Sequence, residues 1–118
     1  MKVMVIGKAS KATEAGEMPP AEMFEAMDKF INELITAGIL LEGAGLTPSS
    51  HGARVRCSGS NRIVTDGPFP ETKELIAGFM IWKVSSLQEA IDWVKRAPTI
   101  DDSEVEIRPF IEPEDLPG

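Results

Sequence analysis

The sequence predicts an α+β protein with a ferredoxin-like split β-α-β sheet and an inserted β-hairpin. Two segments of helical periodicity, one after Pro20 and one after Ser86, each lie between β-type segments. Two short β-type runs, 53–57 and 62–65, flank a Ser-Gly-Ser-Asn turn, which is typical of a hairpin. The run 76–84 is the strongest strand candidate. The predicted order is therefore β-α-β, a hairpin, then β-α-β.

The first half of the chain supplies a strand, a loop, a helix and a second strand. Residues 2–6 form a β-rich run that a glycine ends. Residues 8–20 are small, polar and contain Gly and Pro, so they predict a loop. The two prolines at 19–20 open a helix, because proline is tolerated in the first helical turn, and an apolar stripe continues to Gly38. Residues 39–46 predict a strand that two glycines weaken.

The second half ends in a helix and a last strand. Ser86 and Glu89 have the spacing of a capping box, in which the hydroxyl and the carboxylate each accept a backbone N–H. Residues 104–110 alternate acidic and apolar side chains, which predicts the last strand. We expect residues 1–111 to form one domain and residues 112–118 to form a C-terminal tail.

The composition is that of one acidic globular domain. The chain has 118 residues, 42% of them apolar, and a formal net charge of −7. This apolar fraction supports a core, but Lys and Arg form no cluster of the kind that nucleic-acid binding needs. No apolar run approaches the roughly 18 residues that span a bilayer. We therefore expect neither a nucleic acid nor a membrane as partner.

Cysteine use indicates the compartment. Cys57 is the single cysteine, so an internal disulfide cannot form, which fits a reducing cytoplasm. The apolar stretch at the N-terminus is too short for a signal peptide. We therefore predict a cytoplasmic protein.

Both faces of the predicted sheet are apolar, which predicts a homodimer. In the run 76–84, Met80 and Trp82 point to one side, and Phe79 and Ile81 point to the other. Helices cover one face of such a sheet, and each large side chain left in water costs roughly 1.5–3 kcal/mol. A second copy packed face to face removes that cost. The alternative is that the hairpin at 53–65 folds over the open face.

The segment 64–74, Val-Thr-Asp-Gly-Pro-Phe-Pro-Glu-Thr-Lys-Glu, holds the candidate catalytic residues. Asp66 begins an Asp-Gly-Pro turn. Glu71 and Glu74 follow beside a buried strand, where a loop fixed at both ends can direct carboxylates into a cleft. We name Asp66, Glu71 and Glu74 as candidate catalytic groups. The alternative for each is an ordinary turn or a solvated surface.

Four further residues are candidate ligand-binding groups: Arg54, Arg56, Lys73 and His51. The two arginines share one face of a hairpin strand and fit a carboxylate or phosphate, unless they pair with the protein's own carboxylates. His51 is the one histidine and suits proton transfer, but the sequence shows no partner that would orient it. The spacing of Cys and His supplies no metal site, and no nucleotide-binding motif is present. We expect no metal and no cofactor.

A specific motif is formed by three segments: Thr65-Asp66-Gly67-Pro68-Phe69, Glu71-Thr72-Lys73-Glu74 and Gly78-Phe79. Weaker matches extend it: Gly38-Ile39-Leu40 with Gly45-Leu46-Thr47-Pro48, Glu89-Ala90-Ile91 with Trp93, and Glu106-Ile107-Arg108-Pro109. Together they make roughly residues 1–111 resemble the YCII-related, or DGPF-domain, family.

The resemblance implies a ferredoxin-like fold that pairs into a dimeric α/β barrel, in agreement with the two apolar faces. Most members of that family have no established function. One branch is linked to dehydrochlorination or related acid–base chemistry through a His–Asp pair near the two ends of the first helix. The matching positions here are Glu22 and about Thr36, which depart from that pattern, so we do not carry the His–Asp pair over to this chain.

Three functions are compatible with the sequence. The first is a cofactor-free lyase or hydrolase that acts on a small polar or anionic molecule, in a cleft lined by 66–74 and 47–56. The second is a non-catalytic ligand-binding or regulatory module that uses the same cleft. The third is an accessory protein that binds a larger partner.

Overall fold

The structure is a computed structural model that describes residues 1–98 and 103–117, without the side chain of Lys73. Within those residues the α-helices are α1 Lys11–Glu14, α2 Ala21–Thr36 and α3 Leu87–Lys95. The β-strands are β1 Lys2–Lys8, β2 Leu40–Gly45, β3 Ala53–Ser58, β4 Asn61–Asp66, β5 Ile76–Lys83 and β6 Val105–Pro109. The predicted α+β class is confirmed.

Four strands form an antiparallel sheet in the order β2-β5-β1-β6, and β3 pairs with β4 in a separate two-stranded sheet. The register of β1 places Val3 opposite Trp82 of β5, and Val5 opposite Ile107 of β6. With the hairpin set aside, this strand order matches the one expected of a split β-α-β sheet.

The core lies between the helices and one face of the large sheet. Its buried residues are Val3, Val5, Phe30, Leu34, Ile39, Trp82, Val84 and Ala90. The ring of Phe30 in α2 packs against Trp82 with centroids 6.3 Å apart and planes tilted by 58°. Since side chains alternate along a strand, Met4 and Ile6 of β1 face away from the helices.

Local signals set the helix ends. Pro20 is the N-cap of α2, so the prolines precede the helix and do not occupy its first turn. Gly38, just after α2, has a φ of 75°, a conformation that glycine adopts without strain. The Ser86 hydroxyl accepts the N–H of Glu89 at 3.1 Å, and the Glu89 carboxylate accepts the N–H of Ser85 at 2.8 Å. The predicted capping of α3 is thereby confirmed.

The prediction of a plain loop over 8–20 is wrong, because this segment contains the single turn α1. The Ser10 hydroxyl accepts the N–H of Thr13 at 3.2 Å, and the Thr13 hydroxyl accepts the N–H of Ser10 at 2.7 Å. These reciprocal bonds satisfy backbone donors at the start of the turn. In the predicted tail, Pro113–Asp115 form a 3₁₀ turn, and residue 118 lies outside the described residues.

The hairpin does not cover the open face of the large sheet. Every residue of β3 and β4 is exposed, including Val64 at 64%. A hairpin folded over the sheet would bury one of its own faces, so that alternative is excluded. The open face carries four partly exposed apolar side chains, which we call the open-face patch: Met4, Ile6, Phe79 and Ile81.

Candidate functional site

The loop at 66–74 is joined at two points to the segment before β3, where the 3₁₀ turn Ser49–His51 is followed by Gly52. The Gly67 N–H donates to the carbonyl oxygen of Gly52 at 3.0 Å. The Phe69 N–H donates to the hydroxyl of Ser49 at 3.0 Å. A Cβ atom at Gly67 would overlap the carbonyl oxygen of Ser49, so only glycine fits this close approach.

Ser49 is in turn bound by Glu14 of α1. The Ser49 hydroxyl donates to Oε2 of Glu14 at 2.5 Å, and the Ser49 N–H donates to Oε1 at 2.9 Å. Both hydrogen bonds favour the ionised carboxylate, so they hold the pKa of Glu14 below its usual value of 4.5. The bond from the hydroxyl has the larger effect, and the bond from the N–H has the smaller one. The sequence gives no sign of this contact, which joins the predicted loop 8–20 to the turn before β3.

Among the predicted site residues, the structure brings Arg54 and Glu71 together. Nη1 of Arg54 lies 3.2 Å from Oε2 of Glu71, and the two side chains are 46% and 44% exposed. The guanidinium of Arg54 also lies over the ring of Phe69, 3.8 Å from its centroid. An exposed ion pair contributes about 0–1 kcal/mol, so its main effect is to position both side chains. The sequence indicated this pairing as the alternative to a ligand site.

The other predicted site residues lie at the surface. Asp66 ends β4, Glu74 ends the 3₁₀ turn Thr72–Glu74, and His51 ends the 3₁₀ turn Ser49–His51; all three are exposed. Arg56 is exposed on the same face of β3 as the ion-paired arginine. The side chain of Lys73 lies outside the described residues. In the part of the chain that the structure describes, this ion pair is the one side-chain hydrogen bond or ion pair among the seven.

A partly open cavity of about 630 Å³ lies between the large sheet and the helices. It is lined by apolar side chains and glycines, including Met27 and Phe30 of α2, Val94 of α3, and Val5 and Met80 of the sheet. Among the described residues no charged side chain lines it, and neither does any of the seven predicted site residues. Such a wall suits an apolar molecule.

Three glycines leave the sheet side of this cavity without side chains. Gly45 of β2, Gly78 of β5 and Gly7 of β1 lie side by side in the register of the sheet. They occupy the helix-facing side of their strands and leave it without side chains. Gly43 differs from these three, because a Cβ atom there would lie 2.8 Å from Cγ of Met80, whose side chain fills the space. A Cβ atom at Gly45 would meet nothing within 4 Å, so the space above this position is open.

A wider groove of about 780 Å³ lies between α2 and α3. Charged side chains line it, and Nη2 of Arg96 lies 2.7 Å from Oε2 of Glu33. The Arg96 guanidinium also covers the ring of Trp93, 4.6 Å from its centroid. The groove is more open to water than the cavity, and its Arg96 is already paired with Glu33, so it is a weaker candidate than the cavity.

Within the ranges that the structure describes, no group of three or more His, Cys, Asp or Glu residues is placed to hold a metal ion. No helix in those ranges has both the length and the apolar character that crossing a membrane requires.

Gly67→Ala tests the close approach at the base of the loop. We expect it to lower the free energy of unfolding by about 1–3 kcal/mol, because the methyl group forces the loop away from Ser49. Urea denaturation measures this. The control is Gly52→Ala, whose Cβ would lie 3.5 Å from the same carbonyl oxygen and should change stability by less than about 0.5 kcal/mol. Equal effects of the two variants would contradict the assignment.

Glu14→Gln tests the bond to Ser49 through its pH dependence. Because the folded-state pKa of Glu14 is lowered, ionised Glu14 stabilises the fold above pH 4.5, and this contribution is lost as pH falls through the lowered pKa. The stability difference between the wild type and the variant should therefore shrink from about pH 7 to about pH 3 in urea denaturation. Glu17→Gln, in the same segment, is the control. A difference that stays constant with pH would show that Glu14 acts without its charge.

Comparisons with known proteins identify the family. The family model of the YCII-related domain matches residues 1–113. An uncharacterised protein of Rhizobium meliloti is 38% identical over 88 residues, in an alignment that covers 71% of each chain. A solved structure, the 5-chloro-2-hydroxyhydroquinone dehydrochlorinase of Burkholderia phenoliruptrix in complex with 2,5-dihydroxybenzoquinone, aligns over 90% of this chain and 91% of its own.

The TM-score of that structural alignment is 0.49 and the sequence identity is 14%. Both values are too low to support an argument about shared chemistry. The family model, in contrast, spans nearly the whole chain, and the Rhizobium relative supports it at the level of sequence. The resemblance noted in the sequence is thus confirmed: the chain belongs to the YCII-related domain family.

Proposed function

We propose that this protein binds a small, mainly apolar molecule in the cavity between the sheet and the helices. The observation that carries the proposal is the cavity itself, with its volume of about 630 Å³ and its wall of apolar side chains and glycines. Ligand sites are typically apolar concavities of about 300–1,000 Å³. The ligand then differs from the polar or anionic compound that the sequence suggested.

The composition of the same wall favours binding over catalysis inside the cavity. A general base has to lie within hydrogen-bond reach of the proton that it removes. The described residues of the wall supply no carboxylate and no imidazole. Within the cavity, the ligand-binding or regulatory module is therefore the better supported of the functions considered.

A second candidate is cofactor-free acid–base chemistry of the lyase or hydrolase class at the 66–74 loop. The observation that favours it is the contact of Arg54 with Glu71, which sets a carboxylate beside a guanidinium on an anchored loop. Its acting residues would be those indicated by the sequence: Glu71, Glu74 and Asp66 as bases, with Arg54, Arg56, Lys73 and His51 as binding groups.

We also propose a homodimer joined through the open-face patch. A charged rim borders the patch along β6, where Glu106 lies 3.2 Å from Lys8 and 3.1 Å from Arg108. An apolar centre with a polar rim is the usual anatomy of a protein–protein interface. Two such faces packed together would form the dimeric α/β barrel that the family resemblance implies.

The cytoplasm is the proposed compartment. The thiol of Cys57 is free and lies exposed on β3. An exposed free thiol persists in a reducing environment and is prone to oxidation outside it.

The cavity proposal predicts that Gly45→Leu abolishes ligand binding, because its side chain enters the open space above β2. A thermal-shift screen of a metabolite library against the wild type should give apolar hits, since a ligand that binds the native state raises the melting temperature. We expect those shifts to vanish in Gly45→Leu. Leu41→Ala, on the same strand but outside the cavity wall, is the control and should keep them.

The same screen separates the two candidate functions. Hits that persist in Gly45→Leu but vanish in Glu71→Gln would contradict cavity binding and favour the loop. A screen without hits would remove the support for both sites and leave the accessory-protein hypothesis.

The dimer proposal predicts that Ile81→Glu gives a monomer. The substitution places a charge in the centre of the open-face patch, where burial without a partner is costly. Sedimentation velocity at micromolar protein should show a dimer for the wild type and a monomer for the variant. Ile35→Glu, at a 56% exposed position of α2, is the matched control and should remain dimeric. A monomeric wild type would contradict the proposal.

A further inference from the structure

The indole N–H of Trp82 has no hydrogen-bond acceptor among the described residues. Trp82 lies on β5 between Val3 of β1 and Leu40 of β2, and no part of it is accessible to water. The same residue lines the cavity. Its N–H is also the one buried side-chain polar group in the described ranges that lacks a partner.

An unpaired indole N–H in a core needs an explanation. The indole nitrogen is a donor and never an acceptor, so a nearby oxygen has to meet it. Buried tryptophan N–H groups usually find such a partner, and leaving one unpaired costs stability. The ring of Phe30, with its centroid 6.3 Å from that of Trp82, offers an aromatic face, which is a weaker acceptor than oxygen.

We infer that the ligand of the cavity carries one hydrogen-bond acceptor, which the indole N–H of Trp82 binds; this rests on the proposed function of the cavity. The ligand class is a mainly apolar ring compound with a carbonyl, ester or ether oxygen. An ionised carboxylate does not fit, because the described wall offers no cation and a buried charge without a partner is strongly disfavoured. Trp82 thus determines both the orientation and the specificity of binding.

The acceptor reaches the indole by moving a side chain of the wall. Trp82 is fully covered in the ligand-free structure. Met27 and Met80 line the cavity and pack against the core. Methionine has three rotatable bonds and adapts to irregular spaces, so these two side chains are the ones that change rotamer when the ligand enters.

The test compares the affinities of two ligands for two proteins. Acetophenone and α-methylstyrene have nearly the same shape, but the first carries C=O where the second carries C=CH2. Each is titrated by NMR into the wild type and into Trp82→Phe. We expect the preference for acetophenone over α-methylstyrene to be about five- to tenfold greater in the wild type. Differences in hydration between the ligands cancel, because they enter both proteins equally.

A second measurement uses the wild type alone. The indole ¹⁵N–¹H resonance of Trp82 should move downfield with acetophenone and not with α-methylstyrene. Trp93 lines the groove between α2 and α3 and not the cavity, so its indole resonance is an internal control whose chemical shift should not change. Trp93→Phe assigns the two signals. This measurement decides the question if Trp82→Phe does not fold.

The outcomes separate this inference from the proposed function. If both probes bind the wild type, with an unchanged ratio in Trp82→Phe and no selective indole shift, the acceptor role is overturned and cavity binding stands. If neither probe binds the wild type at millimolar concentration, both proposals are overturned. If binding persists in Gly45→Leu, the probes occupy another site and both are overturned as well.

Discussion

The packing of Trp82 against α2 is the interaction on which the rest of the structure depends. The volumes of Trp82 and Phe30 set the distance between the helices and the sheet, because a protein core is filled to high density wherever large side chains meet. Further along the same strands, the positions that face the helices are glycines, and nothing there matches that volume. One layer spacing therefore explains both the tight core and the cavity beside it.

The large sheet also separates three surfaces with different chemistry. The cavity lies on its helix side, the open-face patch lies on the opposite side, and the 66–74 loop stands at the periphery with the hairpin. Ligand binding and self-association, as proposed, would use opposite faces of the same strands. A change in one face would then reach the other only through the strands themselves, which the paired backbone keeps in register.

Sequence alone was enough for the elements whose burial pattern is local. The structure places three elements close to their predicted ranges: β5, α2 and α3. Their patterns, the alternation of a strand and the apolar stripe of a helix, depend only on residues that are near each other in the sequence. The turn α1 has no periodicity, and its cap pairs Ser10 with Thr13, where a Glu or Gln is usual. The cavity escaped prediction because Gly7, Gly45 and Gly78 are distant in the sequence and align only once their strands have paired. The glycines were visible, but their register was not.

The hairpin has a consequence for how the protein behaves when concentrated. β3 and β4 form a ribbon of two strands, so each has one side with unsatisfied backbone donors and acceptors. Such a ribbon invites lateral addition of another chain, as in fibril growth. The basic side chains of Arg56 and Arg62 lie along it, within a protein that is otherwise strongly acidic. Two ribbons placed side by side would bring like charges close together. The resulting repulsion opposes aggregation through the unpaired strand edges.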